Sequence, residues 1–178
     1  LLYSAAHFLY SAVYYAWNAP GGDLLSTFPG PLMLRAAQMW PSLAKDWSAP
    51  QTFWQTLWNY GPVLHLATFP FLLAPTQTQA MRLILLCDLG LVVATFALWM
   101  RLLFPARHHA LAWLGVACIW LNYFPLLEAI TGREIELLEL FFLTVGIWAL
   151  RREREVTAGL AFGLATMTKF LPVVFIPY

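Results

Sequence analysis

Residues 78–104 form one apolar run that carries charge only at Arg82, Asp88 and Arg101. As a helix rising about 1.5 Å per residue, such a run outreaches the ~30 Å hydrocarbon core of a bilayer. Lipid offers no hydrogen bonds to a bare backbone, so a single-chain span of this kind has to be helical. Further apolar runs occupy residues 1–17, 110–126, 137–150 and 156–178. With 61% hydrophobic and 11% charged residues, the chain reads as an all-α, polytopic transmembrane helical bundle. Net charge is +1, which gives no reason to expect nucleic acid as a partner. The chain begins and ends inside apolar runs without an initiator Met, so we expect the N-terminal part of one larger transmembrane domain. The first run lacks the basic n-region of a signal peptide.

Against this background the stretch 127–139 stands out, with Glu128, Arg133, Glu134, Glu136 and Glu139 between apolar runs. Ionisable clusters between spans mark functional sites by default; the plain alternative is a solvated loop whose acids begin the next helix. A second polar region, residues 18–77, opens with Asn18, Pro20, Gly21, Gly22 and Asp23. Within it, Leu32, Ala36 and Trp40 share one helical face and Arg35 and Gln38 the other, and Ser48 with Gln51 makes a capping box. Trp40, Trp47, Trp54 and Trp58 suit a membrane–water interface, so interfacial amphipathic helices are expected in this first loop.

The apolar segment 61–75 contains Pro62, His65 and Pro70 and falls short of the roughly 20 residues a span needs. Treated as re-entrant or interfacial, it leaves five spans. Arg101, Arg107, Arg151, Arg152 and Arg154 then lie inside, as the positive-inside bias demands. The first loop and the stretch 127–139 lie outside and face each other. Asp23 sits at the outer end of the first span, and Lys169 lies about 20 Å from the inner end of the last. Carboxylates and cations are thereby expected around one outer cavity.

Other groups attract plainer readings. Cys87 and Cys118 fall in apolar runs without CxxC spacing and are expected as buried free thiols. His108 and His109 beside Arg107 lack a third ligand at metal spacing, so neither metal nor other cofactor is indicated. Asp88 is expected to bond another helix or to pair with Arg82. Gly159 and Gly163, four apart, have the spacing that lets helices approach closely.

The order of these elements resembles the N-terminal part of the GT-C glycosyltransferases, and most of all the polyprenyl-phosphate-mannose-dependent family numbered eighty-seven. The resemblance is carried by the outer Asp23 in a long loop, Tyr60-Gly61-Pro62 opening a short apolar segment, a second polar outer loop, and Thr168-Lys169-Phe170-Leu171-Pro172. The family's Gly-Gln signature falls on Gly132-Arg133, where Arg replaces Gln, and its Lys-x-x-Pro signature falls on Lys169 and Pro172.

This resemblance implies a multi-pass plasma-membrane enzyme with its active site outside. It would move a sugar, mannose in the family, from a polyprenyl-phosphate donor to a glycan or lipid acceptor. Asp23 would be the catalytic base, since a carboxylate that takes the acceptor's proton contributes about 10²–10⁴-fold. Lys169 and Arg133 would stabilise the leaving lipid phosphate, and Glu134 and Glu136 would hold substrate hydroxyls. Each residue has an alternative: a turn cap for Asp23, snorkelling for Lys169, pairing with Glu136 for Arg133, and solvent exposure for the two glutamates. A transporter or lipid-carrier flippase using the same charges is the rival function, and a structural membrane subunit a third. Transporters tend to show inverted repeats, and none is visible.

Overall fold

The computed structural model describes residues 2–18, 62–104, 110–132 and 136–168, and these are helices and short turns without a strand. Helix α1 (Leu2–Phe8) passes through a π-helical stretch (Leu9–Tyr14) into α2 (Tyr15–Asn18). Tyr10 stacks on Tyr14 along this element, with ring centroids 5.6 Å apart. The amphipathic helices and Trp belt expected between residues 19 and 61 lie outside the described residues, as do Arg107, His108 and His109.

The short apolar segment is α3 (Pro62–Thr68) followed by a 3₁₀ turn (Phe69–Leu73). Its 7 and 5 residues add to about 20 Å at 1.5 and 2.0 Å per residue, against ~30 Å of hydrocarbon. Pro70, in the first turn of the 3₁₀ stretch, has no N–H to give an α-helical ladder and favours the tighter form.

Helix α4 (Gln77–Leu103) is the long element, with 27 residues. Thr76 caps it from an extended backbone, its hydroxyl accepting the Gln79 N–H at 3.3 Å, and Gln three positions after Thr is the capping-box pattern. The helix ends one residue before Phe104, which the following Pro105 steers away from helical angles. Ala80, Met81, Ile84, Leu85, Asp88, Val92 and Thr95 form its buried stripe, at the three-and-four spacing of one helical face.

Among the described residues α4 alone is both long and apolar enough to cross a membrane. The run 110–126, read from sequence as one straight span, is instead two helices, α5 (Ala110–Leu121) and α6 (Phe124–Gly132). They pass as a span only when taken together across a 53° bend. Asn122 turns its side-chain amide back to the Cys118 carbonyl at 2.8 Å, and Pro125 cannot donate to a continuing ladder. Tyr123 then opens α6, its carbonyl accepting from Leu126 and Leu127 at 3.0 and 3.2 Å. Ten of the thirteen residues of the polar stretch 127–139 are thus helical, six of them in α6 and four in the first turn of the helix that begins at Glu136, with Leu127, Ala129 and Ile130 buried.

Two packing regions result. In the first, α6 inserts Leu126, Leu127, Ala129 and Ile130 against Phe8, Leu85, Val92 and Leu137, drawn from α1, α4 and α7. Arg82 lies over the Trp17 ring at 4.7 Å, so its cation ties α4 to α2, and Asp88 is buried six residues on. In the second, α7 (Glu136–Leu150) packs between α4 and α8 (Glu155–Thr168). The close approach here is not at Gly159 or Gly163, where an added Cβ would meet nothing within 4 Å. It is at Gly146, whose missing Cβ makes room for the Phe162 ring. The stripe that α8 buries is Ala158, Ala161, Ala165 and Thr168, and Gly159 lies one position off it, exposed.

Thr144, Thr166 and Thr168 return their hydroxyls to carbonyls four residues back, at 2.7, 3.0 and 2.8 Å, which satisfies them inside apolar packing. The end of α7 is a Schellman turn. The Arg154 N–H reaches the Ala149 carbonyl and the Glu153 N–H the Leu150 carbonyl, both at 3.0 Å, with Glu153 in the left-handed region at φ 56°. Arg151 donates through Nη1 to the Leu102 carbonyl, which joins the C-terminal ends of α7 and α4. The two helices therefore run parallel. Cys87 and Cys118 are free thiols, but Cys87 is exposed and Cys118 half-buried, because neither falls on a stripe that faces another helix.

Candidate functional site

The bend between α5 and α6 turns α6 away from the line of α5 and opens a cleft against α7. Its volume is about 480 Å³, within the range of small-molecule sites. Trp99 comes from α4, Trp120 from α5, Tyr123 from the bend, Leu126 and Ala129 from α6, and Glu136, Glu139, Leu140 and Leu143 from α7.

The acids sit at one end of this cleft for a reason that lies in the helix itself. Glu136 and Glu139 fill the first turn of α7, where unpaired N–H groups and the positive end of the dipole favour carboxylates. A spacing of three residues puts both on one face. Glu136 is half-buried and Glu139 is buried at 9% exposure, and each already has an interaction partner within the protein. Leu140 and Leu143 continue the same face away from the acids toward Trp99. Because α7 and α4 run parallel, the cleft is acidic at its Glu136 end and apolar toward the end where Arg151 and Leu102 meet.

Aromatic rings supply much of the wall. Phe96 meets Trp120 at 6.0 Å between centroids and Trp113 edge-on at 6.3 Å, which fixes α5 against α4. The Trp120 indole nitrogen is buried and has no hydrogen-bond partner among the described residues. Carboxylates and aromatic faces are together what a sugar needs: acceptors for its hydroxyls and a flat apolar surface for its ring.

Of the residues given a site role from the sequence, Glu136 is the one that the described structure places in this cleft. Glu139 joins it and was not assigned a role; its spacing from Glu136 is the signal that could have found it. Trp99, Trp120 and Tyr123 carried no such signal, since they come from separate elements. Glu128 is exposed on α6 and does not line the cleft. Arg133 and Glu134 lie outside the described residues, in sequence between α6 and α7. Asp23 and Lys169 also lie outside them, Lys169 following directly on the last residue of α8. Among the described residues no group of three or more His, Cys, Asp or Glu side chains stands as a metal site would require.

In comparison with known proteins, the sequence model of glycosyltransferase family 87 matches residues 58–178. No curated protein and no solved structure matches the chain.

Proposed function

The chain belongs to glycosyltransferase family 87, and from that membership we propose that it transfers a sugar, mannose by resemblance, from a polyprenyl-phosphate donor to a glycan or lipid acceptor. Glycosyltransferase activity follows from the family; the donor, the acceptor and the sidedness are the proposal. The observation that carries it is the polarity of the cleft, with Glu136 and Glu139 at one end and Leu140, Leu143 and Trp99 toward the other. A lipid-linked sugar has the same two-ended character.

In this reading the protein is a multi-pass plasma-membrane enzyme with its active site at the outer face. α4 spans, α5 and α6 form a broken span, and the α3–3₁₀ segment is re-entrant, being about 20 Å long. The acceptor hydroxyl attacks the anomeric carbon as the bond from that carbon to the phosphate oxygen breaks. Asp23 takes the hydroxyl proton, and polyprenyl phosphate leaves with the bonding electron pair. Lys169 and Arg133 balance the growing phosphate charge, which cations do best where water is scarce. Glu134, Glu136 and Glu139 hold sugar hydroxyls. They are unsuited to face the phosphate, since like charges repel. No cofactor enters this sequence of steps.

The test is consumption of polyprenyl-phosphate mannose by the full-length protein in liposomes, for the wild type and Glu136→Gln. Gln keeps the length and one acceptor oxygen but loses the charge-assisted hydrogen bond, so the rate should fall about tenfold or more. An unchanged rate would remove Glu136 from the substrate site.

A further inference from the structure

At the opposite end of the parallel pair α4 and α7 lies a second cleft, of about 310 Å³, lined by Arg101, Leu102, Trp148, Arg151 and Arg152. We propose that it binds the phosphodiester headgroup of an anionic membrane phospholipid. The inference goes beyond sugar transfer and rests on the membrane placement proposed above.

Three arginines line this cleft and no carboxylate contributes to the lining. They are not equivalent. Arg151 is engaged by the Leu102 carbonyl, an orphan acceptor at the end of α4, and acts as a strut. Arg152 lies over the Trp148 ring at 5.7 Å, and Arg154 stands off the same ring at 5.9 Å without entering the lining. Stacking on an aromatic face holds a guanidinium while leaving its N–H fork free for a bidentate phosphate contact. Arg101, exposed on the last turn of α4, supplies a second fork from the other helix.

A solvated charge run would need neither the shared cleft nor the aromatic wall. Cations at helix C-termini also balance the dipole, and that role accounts for Arg151. It does not account for the way Arg101 and Arg152 flank one volume. That volume equals about ten waters at ~30 Å³ each, roomy for a headgroup and loose for a bare anion. Leu150, directly before Arg151, and Leu103, directly after Leu102, are exposed at 51% and 54% and give acyl chains apolar surface beside a bound headgroup. A free phosphate would make no use of them.

The experiment uses the full-length protein reconstituted in phosphatidylcholine vesicles with or without phosphatidylglycerol. Flotation with pure phosphatidylcholine comes first, since failure to float would refute the membrane placement rather than this site. Bound phospholipid is then counted by native mass spectrometry after gentle detergent extraction. The wild type should retain phosphatidylglycerol about tenfold better than phosphatidylcholine, a discounted value for exposed juxtamembrane arginines. Arg101→Gln/Arg152→Gln should reduce that preference to about twofold or less, and Arg154→Gln should keep it. Equal retention of the two lipids by the wild type overturns the proposal whether or not the variants fold. So does a preference that survives the double substitution. Displacement of phosphatidylglycerol by millimolar inorganic phosphate would mean a free-anion site and would also overturn the lipid assignment.

Discussion

Replacing Gly146 by Ala probes how closely α7 and α8 approach. A Cβ on residue 146 would sit 2.6 Å from Phe162 Cε1 and 2.8 Å from both Cδ1 and Cζ. Carbon atoms prefer about 3.5–4.0 Å, so the overlap is roughly 1 Å against three ring atoms at once. Phe162 is half-buried, so its ring has to change rotamer or α8 has to back away. Overpacking of this kind costs about 1–3 kcal/mol. Alanine in place of glycine in a helix contributes about 1 kcal/mol the other way. The steric term is the larger, and a net loss of about 1–2 kcal/mol is expected. Displacement of α8 would also disturb α7, the helix that carries Glu136 and Glu139. The assay is equilibrium unfolding in mild detergent of wild type, Gly146→Ala, Phe162→Leu and the double variant. Loss in Gly146→Ala with partial rescue in the double variant is the expected pattern. A gain of about 1 kcal/mol in Gly146→Ala would mean that helix propensity alone acts, and would refute the close contact.

Two further outcomes are expected. Single cysteines at Ser48 and at the exposed Glu128 should react with an impermeant thiol reagent from outside, in a background lacking Cys87 and Cys118, while one at the exposed Glu153 reacts only after permeabilisation; opposite labelling of Ser48 and Glu128 would show that the α3–3₁₀ segment crosses. Glu153→Gly, at the left-handed position of the Schellman turn, should leave stability unchanged or raise it by up to about 1 kcal/mol in the same unfolding assay, and a loss above that would contradict the turn assignment.

The helical class and the position of α4 were legible because an apolar run with no proline inside it has one solution in lipid. The break after α5 was harder to see. It depends on Asn122 bonding back to Cys118 and on Pro125, and both residues also fit a continuous apolar run. Gly159 and Gly163 misled for a different reason: spacing shows that residues share a face but not which face meets a neighbour, and Ala158, Ala161 and Ala165 hold that position. At the candidate site, Glu136 was legible as a charge in a chain poor in charge. Glu139 was in view but unassigned, and Trp99 and Trp120 come together only through the packing of α5 on α4, which no local pattern encodes.

Asp23→Asn bears most directly on sugar transfer from a lipid phosphate. Asn retains size and caps a turn nearly as well as Asp, so a merely structural role would leave activity and stability close to wild type. A catalytic base has no such substitute. Purified full-length protein in liposomes, supplied with polyprenyl-phosphate mannose and candidate acceptors, should consume donor as the wild type. Asp23→Asn should insert and bind donor normally yet turn it over about 10²-fold more slowly or worse. Near-equal rates would remove Asp23 from the mechanism, and no donor consumption by the wild type across sugars and acceptors would contradict the proposed reaction itself.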